Sequence, residues 1–435
     1  MARHYYLTTM GCQMNEYDSD YLGQLLMNAD FFPTENPKNA DLIFINTCSV
    51  RKKAEHKAYS LLGRMISLKR RKPSLIIGIM GCIAQQEGAG LMEKFPELDM
   101  IVGTRDIDRI IESLEELKKR SIKVVATDIN GRPPTSVKRK GYFKGRVTSY
   151  LSIMEGCNNF CSYCVVPFVR GREVSRPHDD IMQEVNDLIK DGVKEITLLG
   201  QNVNSYCSME GVTFTRLLEM LCEIDGLYRI RFTTSHPKDL SGELIHAFAE
   251  IEKLCSHIHL PVQSGSNRIL KRMNRAYTRE KYIELVRELR KVRPDIAVTS
   301  DIIVGFPGES EEDHQMTLDL IKKIEFDNLF SFKYSDRKGT VAEKMDAKVD
   351  KEEKSRRLAE VQHNQRDITL KKNKALEGTV QEILVEGWSK KGGQMSGRTG
   401  TNKIVNFDSD NKIIGHLINV KIKRSFVNSL RGERL

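Results

Sequence analysis

Short apolar runs alternate with helix-period segments along residues 1–120: YYLTTM (5–10), LIFIN (42–46), LIIGIM (75–80) and DMIVG (99–103), separated by 15–29 and 51–71. Such alternation predicts a doubly wound α/β domain, a parallel sheet with helices on both faces. From 147 the pattern restarts with six more strand candidates: SYLSIM (149–154), EITLLG (195–200), RIRFTT (229–234), SHIHLPV (256–262), AVTSDIIVG (297–305) and NLFSFKY (328–334). Helical segments at 178–190, 213–223, 280–292 and 311–324 fall between them. Six βα units in a row predict a partial (βα)6 barrel that works at the carboxyl ends of its strands, whereas eight would predict a closed one. A charged helical stretch, 351–376, then leads to the patches TVQEILVEGW, KIVNF and LINVKIKRSF, divided by the turn signals Lys391-Gly392-Gly393 and Asp410-Asn411. They predict a small carboxy-terminal β-barrel. The domain boundaries that follow are 1–120, a linker at 121–146, 147–373 and 374–435.

Composition adds a compartment and a partner class. The chain is 40% hydrophobic and 29% charged, and its start, MARHYYLTTMGC, lacks the apolar core of a signal peptide. No apolar run reaches the roughly 18 residues that a membrane helix needs, so a cytoplasmic protein with no membrane partner is expected, working as a monomer. In that compartment thiols stay reduced, and nine cysteines point to metal binding or chemistry rather than to disulfides. The net charge of +10 is uneven: residues 371–435 hold 13 Lys and Arg against 6 Asp and Glu. A basic tail suits a polyanion, with Lys390, Lys391, Arg398, Lys421, Lys423 and Arg424 as candidate phosphate contacts. A second basic run, Lys138, Arg139, Lys140, Lys144 and Arg146, lies among Gly131, Pro133, Pro134, Gly141 and Gly145 and reads as the linker. Trp388, the single tryptophan, is expected in the core of the small barrel.

Six cysteines form two triplets. Cys157, Cys161 and Cys164, in EGCNNFCSYC, follow the first strand of the barrel region. Structural zinc wants four ligands and no fourth follows at ligand spacing. Three thiolates are what a four-iron cubane needs when one iron stays open to a ligand. Cys12, Cys48 and Cys82 each come within two residues of a strand end, in MGC, NTC and MGC. Carboxyl ends of parallel strands point one way, so these scattered residues become neighbours on the edge where open α/β sheets place ligands. On this evidence alone they fit a cluster or three well-packed thiols equally.

CxxxCxxC with Tyr163 before its last cysteine resembles the radical S-adenosylmethionine (SAM) superfamily. That resemblance implies a 4Fe-4S cluster at Cys157, Cys161 and Cys164 whose open iron chelates SAM, and one-electron cleavage of SAM to a hydrogen-abstracting radical. It places Tyr163 near the adenine of SAM and Gln201, Asn202, Thr234, Ser235 and Ile303, within the strand end 302–305, around the cofactor. GCQMNEYDS, NTCSVR and MGCIAQ are similar to the amino-terminal domain of the methylthiotransferases, where three cysteines hold an auxiliary 4Fe-4S cluster. The basic tail resembles the TRAM RNA-binding module, so the resemblance spans the chain. Gln13-Met14 stands where the ribosomal-protein-modifying branch usually has Pro-Lys, which favours the tRNA-modifying branch.

The resemblance implies a transferase using two SAM molecules, with Cys12, Cys48 and Cys82 carrying sulfur and Cys157, Cys161 and Cys164 making the radical. Its target would be carbon 2 of isopentenylated adenosine at position 37 of tRNA, in the anticodon loop. A reductase or flavodoxin-type electron donor and a sulfur source would be further partners. Methylthiolation of threonylcarbamoyl-adenosine tRNA or of a ribosomal-protein aspartate is the enzymatic alternative, and an iron-sulfur RNA-binding redox regulator the non-enzymatic one.

Other features read as structural. Cys207, Cys222 and Cys255 lack partners at ligand spacing, and Cys222 sits at helical spacing with Leu218. His257 and His259 share one strand face and are expected to be hydrogen-bonded rather than metal-bound. The mixed-charge run 351–374 reads as a solvated helix.

Overall fold

The computed structural model describes residues 2–49, 52–120, 122–130, 137–390 and 392–435. The first domain comprises β1 (Arg3–Met10), α1 (Gln13–Asn28), β2 (Phe31–Pro33), β3 (Leu42–Thr47), α2 (Lys52–Lys69), β4 (Ile76–Gly81), α3 (Cys82–Glu87), α4 (Gly90–Lys94), β5 (Met100–Val102), α5 (Ile110–Arg120) and β6 (Val124–Ala126). The strands are all parallel, in the order β2-β1-β3-β4-β5-β6. Alternate side chains of one strand serve opposite faces: Ile43, Ile45, Ile77 and Ile79 pack on Leu62 and Ile66 of α2, and Leu42, Phe44 and Met80 on Leu22 and Leu26 of α1. Burial on both faces is why these strands read as unbroken apolar runs. The strand order reverses between β1 and β3, which makes that gap the switch point of the sheet. β6 pairs with β5 beyond residue 120.

The second domain runs through β7 (Thr148–Ser152), β8 (Met154–Glu155), α6 (Val166–Val169), β9 (Val174–Ser175), α7 (His178–Lys190), β10 (Glu195–Leu199), α8 (Phe214–Cys222), β11 (Arg229–Phe232), α9 (Gly242–Glu250), β12 (His257–His259), α10 (Asn267–Arg272), α11 (Arg279–Val292), β13 (Ala297–Val304), α12 (Glu311–Ile324) and β14 (Asn328–Lys333). Two parallel sheets, β11-β10-β7 and β12-β13-β14, are joined by a parallel bridge between Ile230 and Leu254. The six strands thus form an open barrel, with β7 and β14 each paired on one side only among the described residues. Leu151, Ile196, Ile230, Ile258, Val298 and Ile302 face outward onto the helices, leaving the alternate positions to the lumen.

α13 (Lys351–Lys374) leads to a closed barrel of β15 (Val380–Trp388), β16 (Met395–Thr399), β17 (Ile404–Phe407), β18 (Leu417–Ser425) and β19 (Leu430–Arg434), in the order β15-β16-β17-β19-β18. Ile383, Val385, Met395, Val405, Phe407 and Ile422 fill it. Trp388 is not in that core: it is 55% exposed as the last residue of β15, after a register shift between Val385 and Gly387. α13 is solvated on one side only. On its buried side Val361 joins the barrel core, while Gln365 donates to the Phe326 carbonyl at 2.8 Å and Thr369 to that of Asp327 at 3.1 Å.

Two buried arginines dock the small barrel under the open one. Arg231 donates to the carbonyls of Gly400 and Thr399 at 3.0 and 2.7 Å and to Glu195 at 2.7 Å. Arg229 donates to the Arg398 carbonyl at 2.6 Å and to Glu382 at 3.0 Å. The basic run after the first domain is also pinned: Arg146 grips both carboxylate oxygens of Asp20 at 2.8 Å, and Asp191 accepts from the amides of Gly141 and Phe143 at 3.0 and 3.1 Å. Gly131, Pro133 and Pro134 lie outside the described residues. No described helix is long and apolar enough to cross a membrane.

Candidate functional site

Cys12 caps α1 two residues past β1, Cys48 follows β3 and Cys82 opens α3 straight after β4. The three therefore share the carboxyl edge of the first sheet, with Cys12 and Cys48 on either side of its switch point. A buried asparagine pair holds the two loops together. Asn15 donates to Asn46 Oδ1 at 3.0 Å, Asn46 returns a bond to the Asn15 carbonyl at 2.8 Å, and Asn15 Oδ1 accepts from the Cys12 amide at 3.2 Å. Gly81, at φ 91°, admits no side chain, since a Cβ there would stand 2.6 Å from the Thr47 carbonyl oxygen. Cys12 is exposed, and Cys48 and Cys82 are buried. The Cys48 thiol, hydrogen-bonded to Cys12, holds the Cys12 thiol down at about 6, while burial pushes Cys82 up.

Cys157, Cys161 and Cys164 occupy the loop between β8 and α6. Gly156, at φ 79°, starts it where a Cβ would meet the Arg172 carbonyl oxygen at 2.1 Å, and its amide donates to Gln201. The Asn159 amide points at Cys157 Sγ from 3.5 Å and Arg275 Nη1 at Cys161 Sγ from 3.3 Å. Burial pushes the Cys157 thiol up and the Cys164 thiol up to about 12. Metal ions that displace those protons remove this penalty.

All nine cysteines are free. Among the described residues no three His, Cys, Asp or Glu side chains already close around one point as metal ligands, so each triplet shares a space without closing on it. Thiols from one edge or one loop are the donor set of an iron-sulfur cluster, and they fit that group better than a hard cation.

The two triplets are neighbours. Val165, the residue after Cys164, packs with Val169 on Cys82 in one apolar cluster. Arg170 is buried between them, donating to Glu155 at 2.9 Å and to Asp18 of α1, and it also lies against the Cys82 thiol. Neither Arg170 nor Arg275 has a spacing signal that sets it apart from the basic residues beside it, Arg172 and Arg272.

The expected SAM-site residues fall into two groups. Tyr163 and Ile303 share an apolar cluster with Phe306 and Tyr334, Tyr163 meeting Phe306 edge-on at 6.5 Å. Gln201, Asn202, Thr234 and Ser235 gather beyond the ends of β10 and β11, where the Val203 amide donates to the Thr234 carbonyl at 3.2 Å and Asn202 to Asp239 at 2.8 Å. Asn202 Oδ1, Ser235 Oγ and His236 Nε2 are buried there without a hydrogen-bond partner. Three orphaned polar atoms at strand ends fit a polar cofactor that completes them. The two groups are linked through Cys161, Arg275, Tyr277 and His236, with Arg275 donating to Tyr277 at 2.9 Å and the Tyr277 and His236 rings 5.6 Å apart.

In the small barrel Trp388 and Lys421 are exposed, and Lys390 lies close enough to Glu16 of α1 to act on its carboxyl. Arg398 is engaged by Glu386 at 3.0 Å and Lys423 by Glu433 at 2.7 Å, and Arg424 lies 5.1 Å above the Phe426 ring. Lys391 is outside the described residues. His257 and His259 both face the Thr299 hydroxyl, at 3.3 and 3.0 Å. Cys255 is buried, Cys222 packs on the barrel core, and Cys207 is exposed.

An open six-stranded barrel with CxxxCxxC on its first loop defines a radical SAM protein. The Radical SAM superfamily matches residues 151–321, the uncharacterized protein family UPF0004 residues 4–103 and the TRAM domain residues 374–435. A tRNA-2-methylthio-N(6)-dimethylallyladenosine synthase of Syntrophus aciditrophicus is 51% identical over 100% of this chain and 95% of its own length. Proteins of the same name are 47% identical in Geobacter sulfurreducens, over 99% of this chain and 97% of that one, and 48% identical in Clostridium botulinum, over the same shares. The chain belongs to the family of tRNA-2-methylthio-N(6)-dimethylallyladenosine synthases. Among solved structures, the radical S-adenosylmethionine methyltransferase TsrM of Kitasatospora setae, with cobalamin and a 4Fe-4S cluster bound, aligns with TM-score 0.57 at 16% identity over 77% of this chain and 75% of its own. The radical enzyme OxsB aligns with TM-score 0.53 at 14% identity, over 84% and 56%. Both are likenesses of fold.

Proposed function

We propose that this protein installs a methylthio group on carbon 2 of N6-dimethylallyladenosine in the anticodon loop of tRNA, with Cys157, Cys161 and Cys164 holding the cluster that engages SAM and Cys12, Cys48 and Cys82 holding the auxiliary cluster. The observation that carries this reading is the adjacency of two thiol triplets, one on a sheet edge and one on a barrel loop, in a chain that is 51% identical to a synthase of that name. When bound, the clusters and SAM supply a carbon-centred radical and the sulfur to be transferred.

The residues of the chain bind, orient and exclude. Gly156 and Gln201 set the course of the cysteine loop, and Arg275 fixes Cys161. Arg170 holds α1 against that loop, so the two triplets keep one spacing. Asn202, Ser235 and His236 offer unpartnered polar atoms to a cofactor, and Tyr163 and Ile303 an apolar wall to its adenine. Trp388, Lys390 and Lys421 contribute stacking and phosphate contacts to the RNA. An external reductase or flavodoxin-type electron donor and a sulfur source complete the inputs.

Incubation of reduced, cluster-loaded protein with SAM and tRNA, with and without the dimethylallyl group, tests the reading. Methylthiolated nucleoside together with 5′-deoxyadenosine is expected on the dimethylallylated tRNA alone. Equal turnover on unmodified tRNA contradicts the substrate, and absence of SAM cleavage contradicts the enzyme.

A further inference from the structure

The inner faces of β13 and β14 carry a group of side chains that the chemistry above does not use. On β13 the residues Thr299, Asp301 and Ile303 share the lumenal face, because Val298, Ile302 and Val304 lie in the outer core. On β14 Leu329 packs outward, and the ring of Phe330 turns to the lumen to meet His259 at 6.0 Å and 75°. Asp301 is paired in register with Phe330, and Ile303 with Phe332. Asp301 and Phe330 therefore lie one pleat, about 6.6 Å, below Ile303 and the proposed SAM adenine site.

This step of the wall is polar, aromatic and accessible. Phe330 is 47% exposed, an unusual state for a phenylalanine on the inside of a barrel. His259 Nδ1 is bonded to Thr299 at 3.0 Å, but its Nε2 stands 3.5 Å from Asp301 Oδ2, too far for a good hydrogen bond. Both groups keep capacity for a partner between or beside them. β14 is the free edge of the open barrel, and a cleft of about 320 Å³ runs along it, lined by Phe330 and Phe332, by Gln362 and Arg366 of α13 and by Val427 of the small barrel. A nucleotide splayed out of a loop can enter the lumen by that edge.

We propose that this face of β13 and β14 is the wall that reads the target base, with Phe330 stacking on the N6-substituted adenine and Asp301 and His259 bonding its polar edge. The proposal rests on the reading of the substrate given above. An adenine with one N6 substituent keeps one N–H, which the Asp301 carboxylate accepts, and ring nitrogens that accept from the imidazole. Phe330 and Phe332 give the dimethylallyl group an apolar surface, so the wall discriminates modified from unmodified adenosine.

Fluorescence anisotropy of the full chain with an anticodon stem-loop RNA, carrying either adenosine or N6-dimethylallyladenosine at the target position, tests this without catalysis. The protein is expected to bind the dimethylallylated RNA more tightly. Phe330→Ala should shrink that preference about tenfold by weakening the dimethylallylated RNA more than the unmodified one, and Asp301→Asn should weaken both RNAs, since both adenines keep an N6 N–H, while urea unfolding of each variant matches the unaltered chain and reports an intact fold. If the unaltered protein discriminates and Phe330→Ala still does so fully, or Asp301→Asn binds both RNAs unweakened, this wall is not the reader and the substrate reading stands. Equal loss on both RNAs makes Phe330 a general RNA contact and also overturns the proposal. If the unaltered protein shows no preference, the substrate reading fails and the proposal with it.

Discussion

Arg170, on the loop that follows the second cysteine triplet, donates through both terminal nitrogens to the carboxylate of Asp18 on α1, across the boundary between the two triplet-bearing domains. With Glu155 on its other side, it is an ion network from which water is excluded. Arg170→Met leaves two carboxylates buried and unpaired, and should cost about 3–5 kcal/mol in urea unfolding. Adding Asp18→Asn and Glu155→Gln should restore most of that loss. A single variant as stable as the unaltered chain would show that the network does not clamp the domains.

The docking of the small barrel rests on Arg229 and Arg231, whose donors reach the backbone at the end of β16, from Arg398 to Gly400, and the carboxylate of Glu382. Arg229→Ala with Arg231→Ala should free that barrel, so that limited proteolysis cuts at 375–379, between α13 and β15, where the unaltered protein resists. An unchanged digestion pattern would place the docking energy elsewhere.

Glu309, buried beside the Gly305 strand end, accepts from the Gly305 amide and from Arg357 at 3.1 Å. Burial outweighs both and pushes its carboxyl from 4.5 up to about 7. The folded chain thus holds this proton more tightly than the unfolded one, and the stability it contributes is complete below pH 4.5 and lost as pH rises through about 7. Glu309→Gln should flatten the decline of stability across that window, measured by urea unfolding on either side of it. Glu155, pushed up to about 7 as well, keeps part of the slope. An unaltered slope would contradict the account of Glu309.

RNA affinity should divide between charge and stacking. Lys421→Ala should weaken binding and reduce the slope of log affinity against log salt by about one, whereas Trp388→Ala should weaken it at every salt concentration with the slope unchanged. Titrations of tRNA at several ionic strengths separate the two. A slope change in Trp388→Ala alone would reverse the assignment.

The placement of Cys12, Cys48 and Cys82 on one edge was legible because strands buried on both faces leave continuous apolar runs, and those runs mark where each strand ends. The six barrel strands were legible instead through apolar positions that recur on the helix-packed face, as in RIRF and HIH. β2 and β6, three residues each, were missed, although β5 and β12 are as short. Trp388 misled because it is the last residue of β15, where an apolar side chain can leave the core, and no hydrophobic pattern records that. Arg170 was invisible because its meaning comes from Asp18, 152 positions away. The orphaned Asn202, Ser235 and His236 atoms became distinctive only once burial was known.

An iron and sulfide count on anaerobically reconstituted protein distinguishes two separate cluster sites at the six cysteines from a single shared one. The unaltered chain should hold about eight irons and eight sulfides. The triple change of Cys157, Cys161 and Cys164 to Ala, and likewise that of Cys12, Cys48 and Cys82, should each leave about four of each. About four irons in the unaltered chain, or loss of all iron in either triple variant, would contradict two independent sites.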